Sequence, residues 1–441
     1  MFGNLKFQCY AVILSPCRSS GGRRKDSSVN ICLVNQFYPP DQAPTGRYLR
    51  DLAEALAARG HQVNVVSSRL SYTSSPAAGD SQALGGVREI RVGAAGREAV
   101  SLTGKAMGYA KFMMQAWWAL FTMRPKPDVV VALTTPPWIG WVASLAVGRR
   151  CRRVHWLMDL YPQVLVAHNL VQAGSFRHRI LAWLTRWEWK RADLIITLGS
   201  AMAGWVKREG PSVPESRMET VPLWSLDQIE PWPEGQANPL RGERRWSLDS
   251  TIFMYTGNMG YGHEIRLFLD AARQADPSEP LRLVFSGWGI RQVEVERFIQ
   301  DHPEAPVELL SPASPERLRE HLCSADVHLV SIRKGWSGVI VPSKFQAAFA
   351  VGKPVLYVGP EDSETAEWIR ASGGGWVVAE TDVEGLVRAF RECCDPAERQ
   401  RRGRAGREFA EHHFNREINT RRICERIEAV VRVNTGEGVS P

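Results

Sequence analysis

The chain has 441 residues, of which 44% are hydrophobic and 23% charged, with a formal net charge of +8. That composition excludes a disordered or collagen-like chain, and the length suits two cores of roughly 200 residues each. The basic balance favours phosphate-bearing ligands or an anionic surface. The cations do not alternate with aromatic platforms as in an RNA-binding module, so no nucleic-acid partner is expected.

Residues 1–28 read as a loose N-terminal extension. Their cluster Arg23-Arg24-Lys25 follows a short apolar part, whereas a secretory signal carries its charge before it. VNICLV (29–34) then predicts a buried strand, and the helix RYLRDLAEALAAR follows with Leu49, Leu52, Ala53 and Leu56 on one face. QVNVVSS completes a βαβ unit. Further strands are expected at 87–92, 128–133, 153–158, 193–198 and 218–224, with helices at 105–123, 137–147, 175–191 and 200–209. The first domain is therefore placed at 29–224. Residues 225–250, rich in Pro, Gly and polar groups, read as a linker.

A second alternating set occupies 251–395. Its strands are expected at 251–257, 281–287, 306–311, 326–331, 353–359 and 375–380, with helices between them. Two polar helices, 397–412 and 416–434, lie in a final segment, 396–441. Strands separated by helices imply parallel sheets covered on both faces. His61 and His155 read as packed histidines. The eight cysteines, at 9, 17, 32, 151, 323, 393, 394 and 424, have no zinc-ligand spacing, and free thiols in a reducing compartment are expected.

Doubly wound sheets bind ligands beyond the carboxyl ends of their strands. At such ends stand TIFMYTGNMGYGHE, with Gly257, Asn258, Gly260 and Gly262, and VPSKFQAAFAVGKPVLYVGPEDSE, with Ser343, Lys344 and Glu364. Ser343 can cap the helix that follows. A cation in a first turn opposes the helix dipole unless an anion is bound there, so Lys344 points either to a phosphate or simply to water. Glu364 is either a ribose ligand or a routine first-turn acid. In the first domain NQFYPPDQAPTG carries Gly46, and MDLYPQVL carries Asp159, which is either a cleft acid or a turn cap. No G-x-S-x-G, H-E-x-x-H or Walker motif occurs, so a serine hydrolase, a zincin or a P-loop ATPase is disfavoured.

NQFYPPD with APTG, MDLYPQVL, YTGNMGYGHE and VIVPSKFQAAFAVGKPVLYVGPEDSETAEWI, in this order, resemble the family 4-like retaining glycosyltransferases of GT-B type. The likeness covers about residues 30–395 and points to the bacterial surface-polysaccharide enzymes of the L-fucosamine and colanic-acid kind. It implies an α/β GT-B fold, with two doubly wound Rossmann-like domains facing an inter-domain cleft, and C-terminal helices that cross back to the first domain. By resemblance, Gly46 admits the donor diphosphate, Asn258 and Gly257 lie under the donor, and Ser343 and Lys344 sit beside phosphate and ribose. Glu364 holds ribose hydroxyls, and Asp159 faces the donor sugar or the acceptor.

Two family glutamates would fall at Val339 and Ala347 and are absent. Tyr261 stands where an Arg often follows the G-N-x-G turn, so Lys344, with Arg333 or Lys334, must neutralise the diphosphate. Lys344 and Asp159 are the catalytic candidates. No cofactor and no metal is expected, and UDP is the commonest donor nucleotide in such a family. The expected partners are a nucleoside-diphosphate sugar, a lipid-linked or saccharide acceptor, and an anionic membrane surface. That surface would be met by Phe112, Met113, Ala116, Trp117 and Leu120, and by the basic helix 177–191, the alternative being that these residues pack as an inter-helix core. The implied location is cytoplasmic, peripheral on the inner face of the membrane. A nucleotide-sugar 2-epimerase-like enzyme and a decayed, binding-only component remain alternatives.

Overall fold

The structure, a computed structural model, describes residues 28–41, 43–71, 83–84, 86–97, 101–225, 229–274 and 280–435. The expected N-terminal extension lies, as far as residue 27, outside the described residues.

In the first lobe β1 (Asn30–Val34), β2 (Gln62–Ser71), β3 (Ala83–Leu84), β4 (Val87–Arg97), β5 (Val129–Ala132), β6 (Arg152–Trp156), β7 (Leu194–Thr197) and β8 (Met218–Thr220) form one sheet. Its order is β3-β4-β2-β1-β5-β6-β7-β8, and its neighbours run parallel except for the short β3–β4 pair. β1, β5 and β7 are buried at every residue, as continuous apolar runs covered by helices on both faces must be. The helices are α1 (Pro44–Ala58), α2 (Leu102–Thr122), α3 (Ile139–Ala146), α4 (Gln163–Ala167), α5 (Phe176–Arg191) and α6 (Ser200–Glu209). α1 starts at Pro44, whose missing N–H costs nothing at a helix start, and it buries Leu49, Leu52, Ala53 and Leu56.

A short helix, α7 (Pro239–Glu243), lies within the Pro/Gly-rich connection. Leu240 and Trp246 from this stretch pack against Ile252, Met254 and Val284, so its second half belongs to the core of the second lobe. That lobe holds β9 (Thr251–Asn258), α8 (Arg266–Gln274), β10 (Leu281–Trp288), α9 (Gln292–Asp301), β11 (Val307–Leu310), α10 (Leu318–Ser324) and β12 (Val327–Ser331). It continues with α11 (Lys344–Ala350), β13 (Val355–Val358), α12 (Glu364–Ser372), β14 (Gly375–Val378), α13 (Val383–Cys393) and α14 (Pro396–His413). The sheet order β11-β10-β9-β12-β13-β14 is parallel throughout and reverses between β9 and β12. Two such lobes flanking a cleft make a GT-B architecture.

The last helix, α15 (Arg416–Thr435), returns to the first lobe and packs on α1. Glu428 accepts from Arg59 Nε at 2.6 Å and Nη2 at 2.9 Å, and lies 2.9 Å from His61 Nε2. A fork of this kind is short and strong, and with the side-chain bond from Arg59 as the leading cause it holds the Glu428 carboxyl down to about 2.

One expectation is reversed. Phe112, Ala116 and Leu120 of α2 are fully buried and pack on the sheet, with Met113 and Trp117 partly buried beside them. The outward face carries Met107, Met114, Trp118 and Phe121 instead. α2 is apolar on both sides, so its periodicity could not say which side the sheet would take.

Candidate functional site in the inter-lobe cleft

The turn after β9 is held open by glycine. Gly257 adopts φ +102°, a conformation a side chain disfavours, and a Cβ there would lie 3.5 Å from Lys344 Cε. Such a Cβ would be in ordinary contact with the lysine, so the positive φ of the turn, not the room for Lys344, is what calls for glycine. Lys344 opens α11, and its Nζ donates to the Asn258 carbonyl at 3.1 Å and to His263 Nε2 at 2.9 Å. The ammonium also sits 5.0 Å over the Tyr255 ring. Enclosure pushes it down to about 7. Lys344, Gly257 and Asn258, singled out separately in the sequence, therefore form one cluster at the switch point of the second sheet.

Ser343 precedes α11 but does not cap it. With φ −82° and ψ −3° it is already helical, and its side chain makes no capping bond. A cap needs extended backbone to turn its oxygen onto the next amides. Arg333 is half-exposed nearby, with its N–H on the Gly262 carbonyl at 2.9 Å and its Nε 3.6 Å from Glu264.

Glu364 is placed differently from a ligand-facing acid. It is 1% exposed, and its Oε1 accepts from the Met202 N–H of α6, across the lobe boundary, at 2.7 Å. Burial raises its pKa. Glu367, one turn on, bonds Ser200 of the same helix. Other contacts join the lobes as well. Leu160 N–H donates to the Val339 carbonyl at 3.1 Å, and Trp205 Nε1 donates to the Ser337 carbonyl at 3.0 Å. His168 meets Tyr261 and Trp336 edge-on. Between the lobes a cavity of about 810 Å³ remains, lined by Trp205, Arg208, Lys334, Gly359, Asp362 and Glu380.

Asp159 stands on the first lobe, one residue before the Leu160 contact. Burial pushes its carboxyl up to about 6, and its N–H donates to Thr134 Oγ1 at 3.2 Å. It shares with Trp138, Tyr161, Thr185 and Glu188 a space of only about 20 Å³, room for a single water at most. Gly46 is required by the chain's own loop, because a Cβ there would lie 2.9 Å from the Phe37 carbonyl oxygen.

Two residues of the site were missed in the sequence. Glu188 is buried and pairs with His155 Nδ1 at 3.0 Å. It is the sole acid in the basic stretch RHRILAWLTRWEWKR, which was a usable signal. His263 follows the glycine turn and bonds Lys344, and a histidine beside a phosphate-type turn was its only mark. Among the described residues no group of three or more His, Cys, Asp or Glu is arranged to hold a metal ion, and no disulfide joins the cysteines.

The two parallel-sheet lobes facing a cleft define the GT-B class of fold. Residues 45–224 match the glycosyl transferase 4-like domain, and residues 250–395 match the glycosyl transferases group 1 family. The chain is a GT-B-fold glycosyltransferase of the superfamily to which those two domains belong. It is 25% identical over 272 residues to WbjE of Pseudomonas aeruginosa, named as a glycosyltransferase, covering 61% of this chain and 66% of the relative. It is 22% identical over 380 residues to WcaI of Escherichia coli K12, named for colanic acid biosynthesis, covering 82% and 92%. Among solved structures it resembles sucrose-phosphate synthase from Thermosynechococcus elongatus, with TM-score 0.71 and 19% identity over 91% of this chain and 99% of that one. It also resembles Anabaena HepE in complex with UDP-glucose, with TM-score 0.63 and 14% identity over 91% and 100%.

Proposed function

We propose that the protein transfers a sugar, with retention at the anomeric carbon, from a nucleoside-diphosphate sugar to a lipid-linked or saccharide acceptor in polysaccharide biosynthesis. The observation that carries this reading is Lys344. Its ammonium is fixed at the glycine turn by two neutral acceptors, Asn258 O and His263 Nε2, and burial pushes it down to about 7, a shift that a nearby negative charge would reverse. A diphosphate supplies that charge. In the transfer the acceptor oxygen bonds the anomeric carbon as its bond to the β-phosphate oxygen breaks, and the acceptor's proton leaves with the phosphate. Lys344, with Arg333 as a second cation, stabilises charge that grows as the leaving group departs.

Asp159, raised to about 6, is assigned to the acceptor or donor-sugar side of the cleft. Glu364 is assigned to the ribose once its bond to Met202 N–H is released. The UDP-glucose held by HepE makes UDP the first nucleotide to try. A panel of UDP-, GDP-, CDP- and dTDP-sugars, read as free nucleoside diphosphate released with a saccharide or polyprenyl-phosphate acceptor, tests the reading. Release that needs the acceptor is the expected result. Binding without turnover against every acceptor points to a binding component instead.

A lipid-linked acceptor fits the outer face of the first lobe. Met107, Met114, Trp118 and Phe121 of α2 and Phe176, Ile180 and Trp183 of α5 are exposed, with Lys111, Arg177, Arg179 and Arg186 among them. Apolar and aromatic side chains interleaved with cations suit a shallow seat on an anionic bilayer. No helix among the described residues is long and apolar enough to cross one. The protein should co-sediment with phosphatidylglycerol vesicles and lose most of that binding at high salt, and Trp118→Ser with Phe121→Ser should weaken it. Absence of sedimentation at every salt concentration would exclude this face as a membrane seat.

A further inference from the structure

Lys344 is held from a second direction by the histidine of the glycine-turn segment. His263 is buried between the ends of β9 and β12. Its Nδ1 lies 2.7 Å from the Ser331 carbonyl oxygen, which can only accept. The ring proton therefore sits on Nδ1, and Nε2 presents a lone pair to Lys344 Nζ at 2.9 Å. The ring is fixed by its surroundings. Tyr255 meets it edge-on at 5.9 Å, Arg291 donates to the His263 carbonyl at 2.7 Å, and the Glu264 N–H donates to the Ser331 hydroxyl at 3.0 Å.

The charged groups near the pair are Arg291, at the start of α9, and Glu264, whose carboxylate lies 3.6 Å from both Arg291 and Arg333. Burial first, then Lys344 and Arg291, holds the imidazole down to about 3, so it is neutral at any working pH. It cannot become a second donor to a phosphate. What it can do is keep the ammonium of Lys344 over the turn at 257–260.

Resting on the transferase reading above, we propose that His263 is a positioning residue for sugar transfer. Locked in one tautomer by Ser331, it holds the Lys344 ammonium against the glycine turn with a remaining N–H available to the departing diphosphate. The sequence motif then works as a unit: the glycine permits the positive φ of the turn, the lysine supplies the charge, and the histidine fixes where the charge sits.

The test compares His263→Phe, which keeps the bulk and removes the lone pair, with His263→Gln, whose carboxamide oxygen returns an acceptor. The first readout needs no ligand. The full chain is trace-acetylated across pH, and modification of Lys344 is followed by mass spectrometry. An acceptor favours the charged amine, so the Phe variant should titrate about one pH unit lower than the parent, with Gln recovering most of the difference. The second readout is steady-state turnover with the donor found in the panel. The Phe variant should lose about tenfold in kcat with donor KM changed less than about twofold, and Gln should recover most of the loss. Equal thermal melting of the variants shows that each is folded.

A Phe variant with the parent's Lys344 titration and kcat overturns the proposal. So does a Gln variant as impaired as Phe in both readouts. If the parent releases no nucleoside diphosphate from any donor, the transferase reading fails, while the acetylation arm still decides whether His263 positions Lys344.

Discussion

Replacing Lys344 by alanine is expected to lower turnover by about a hundredfold or more, the usual loss when one fixed donor to a developing oxyanion is removed. Folding should hardly change. Burial lowers the ionisation of this ammonium to about 7, so the charged form is disfavoured by folding. A group whose folded pKa lies below its unfolded value binds fewer protons when folded, and its effect on stability improves as pH rises from about 7 toward 10.5. The ionisation of this lysine therefore adds nothing to stability at neutral pH, which offsets the contacts that alanine would forfeit. Donor-saturated kcat and a thermal melt, measured side by side, check the separation. A variant that turns over at the parent's rate would remove Lys344 from the chemistry, and one that fails to fold would remove the premise.

The next residue should behave in the opposite way. Phe345 is fully buried, stacked on Trp368 at 5.5 Å and edge-on to Phe349 and Phe414 at 5.8 and 5.2 Å. Those rings belong to α11, α12 and the end of α14, so the cavity left by Phe345→Ala opens where three elements meet. A loss of about 3–5 kcal/mol is expected, read from the denaturant midpoint. At a temperature where the variant remains folded, donor-dependent turnover should fall far less than in Lys344→Ala. Adjacent residues of one short helix thus separate function from stability, because one side chain faces the glycine turn and the other the core.

The strands were legible because VNICLV, DVVVAL and DLIITL are continuous apolar runs, and a chain offers few other uses for them than parallel strands covered on both sides. The clustering of Lys344 with Gly257 and Asn258 followed from the rule that strand ends of one doubly wound sheet converge. What escaped depended on partners distant in sequence. Nothing local to Glu364 says that the amide of Met202 will take its carboxylate. His155 and Glu188 are ordinary residues until α5 lies across β6. The inward face of α2 was misassigned because Phe112 and Trp118 are equally apolar, and only the position of the sheet chooses between them. The short helices α4 and α7 escaped because proline precedes the first and opens the second, and five residues are too few to show a period.

The return of the last helix sets an order on biosynthesis. The first lobe is encoded first, yet Arg59 and His61 wait for Glu428, which lies 367 positions beyond His61. A ribosome adds about 5–20 residues each second, so that side of the early lobe stays unpaired for about half a minute at mid-range speed. The late lobe, whose elements run contiguously from α7 to α14, has its whole sequence out sooner after its own first residue is made. The half translated first is therefore the half finished last, and a helix encoded after both lobes closes a structure begun long before it.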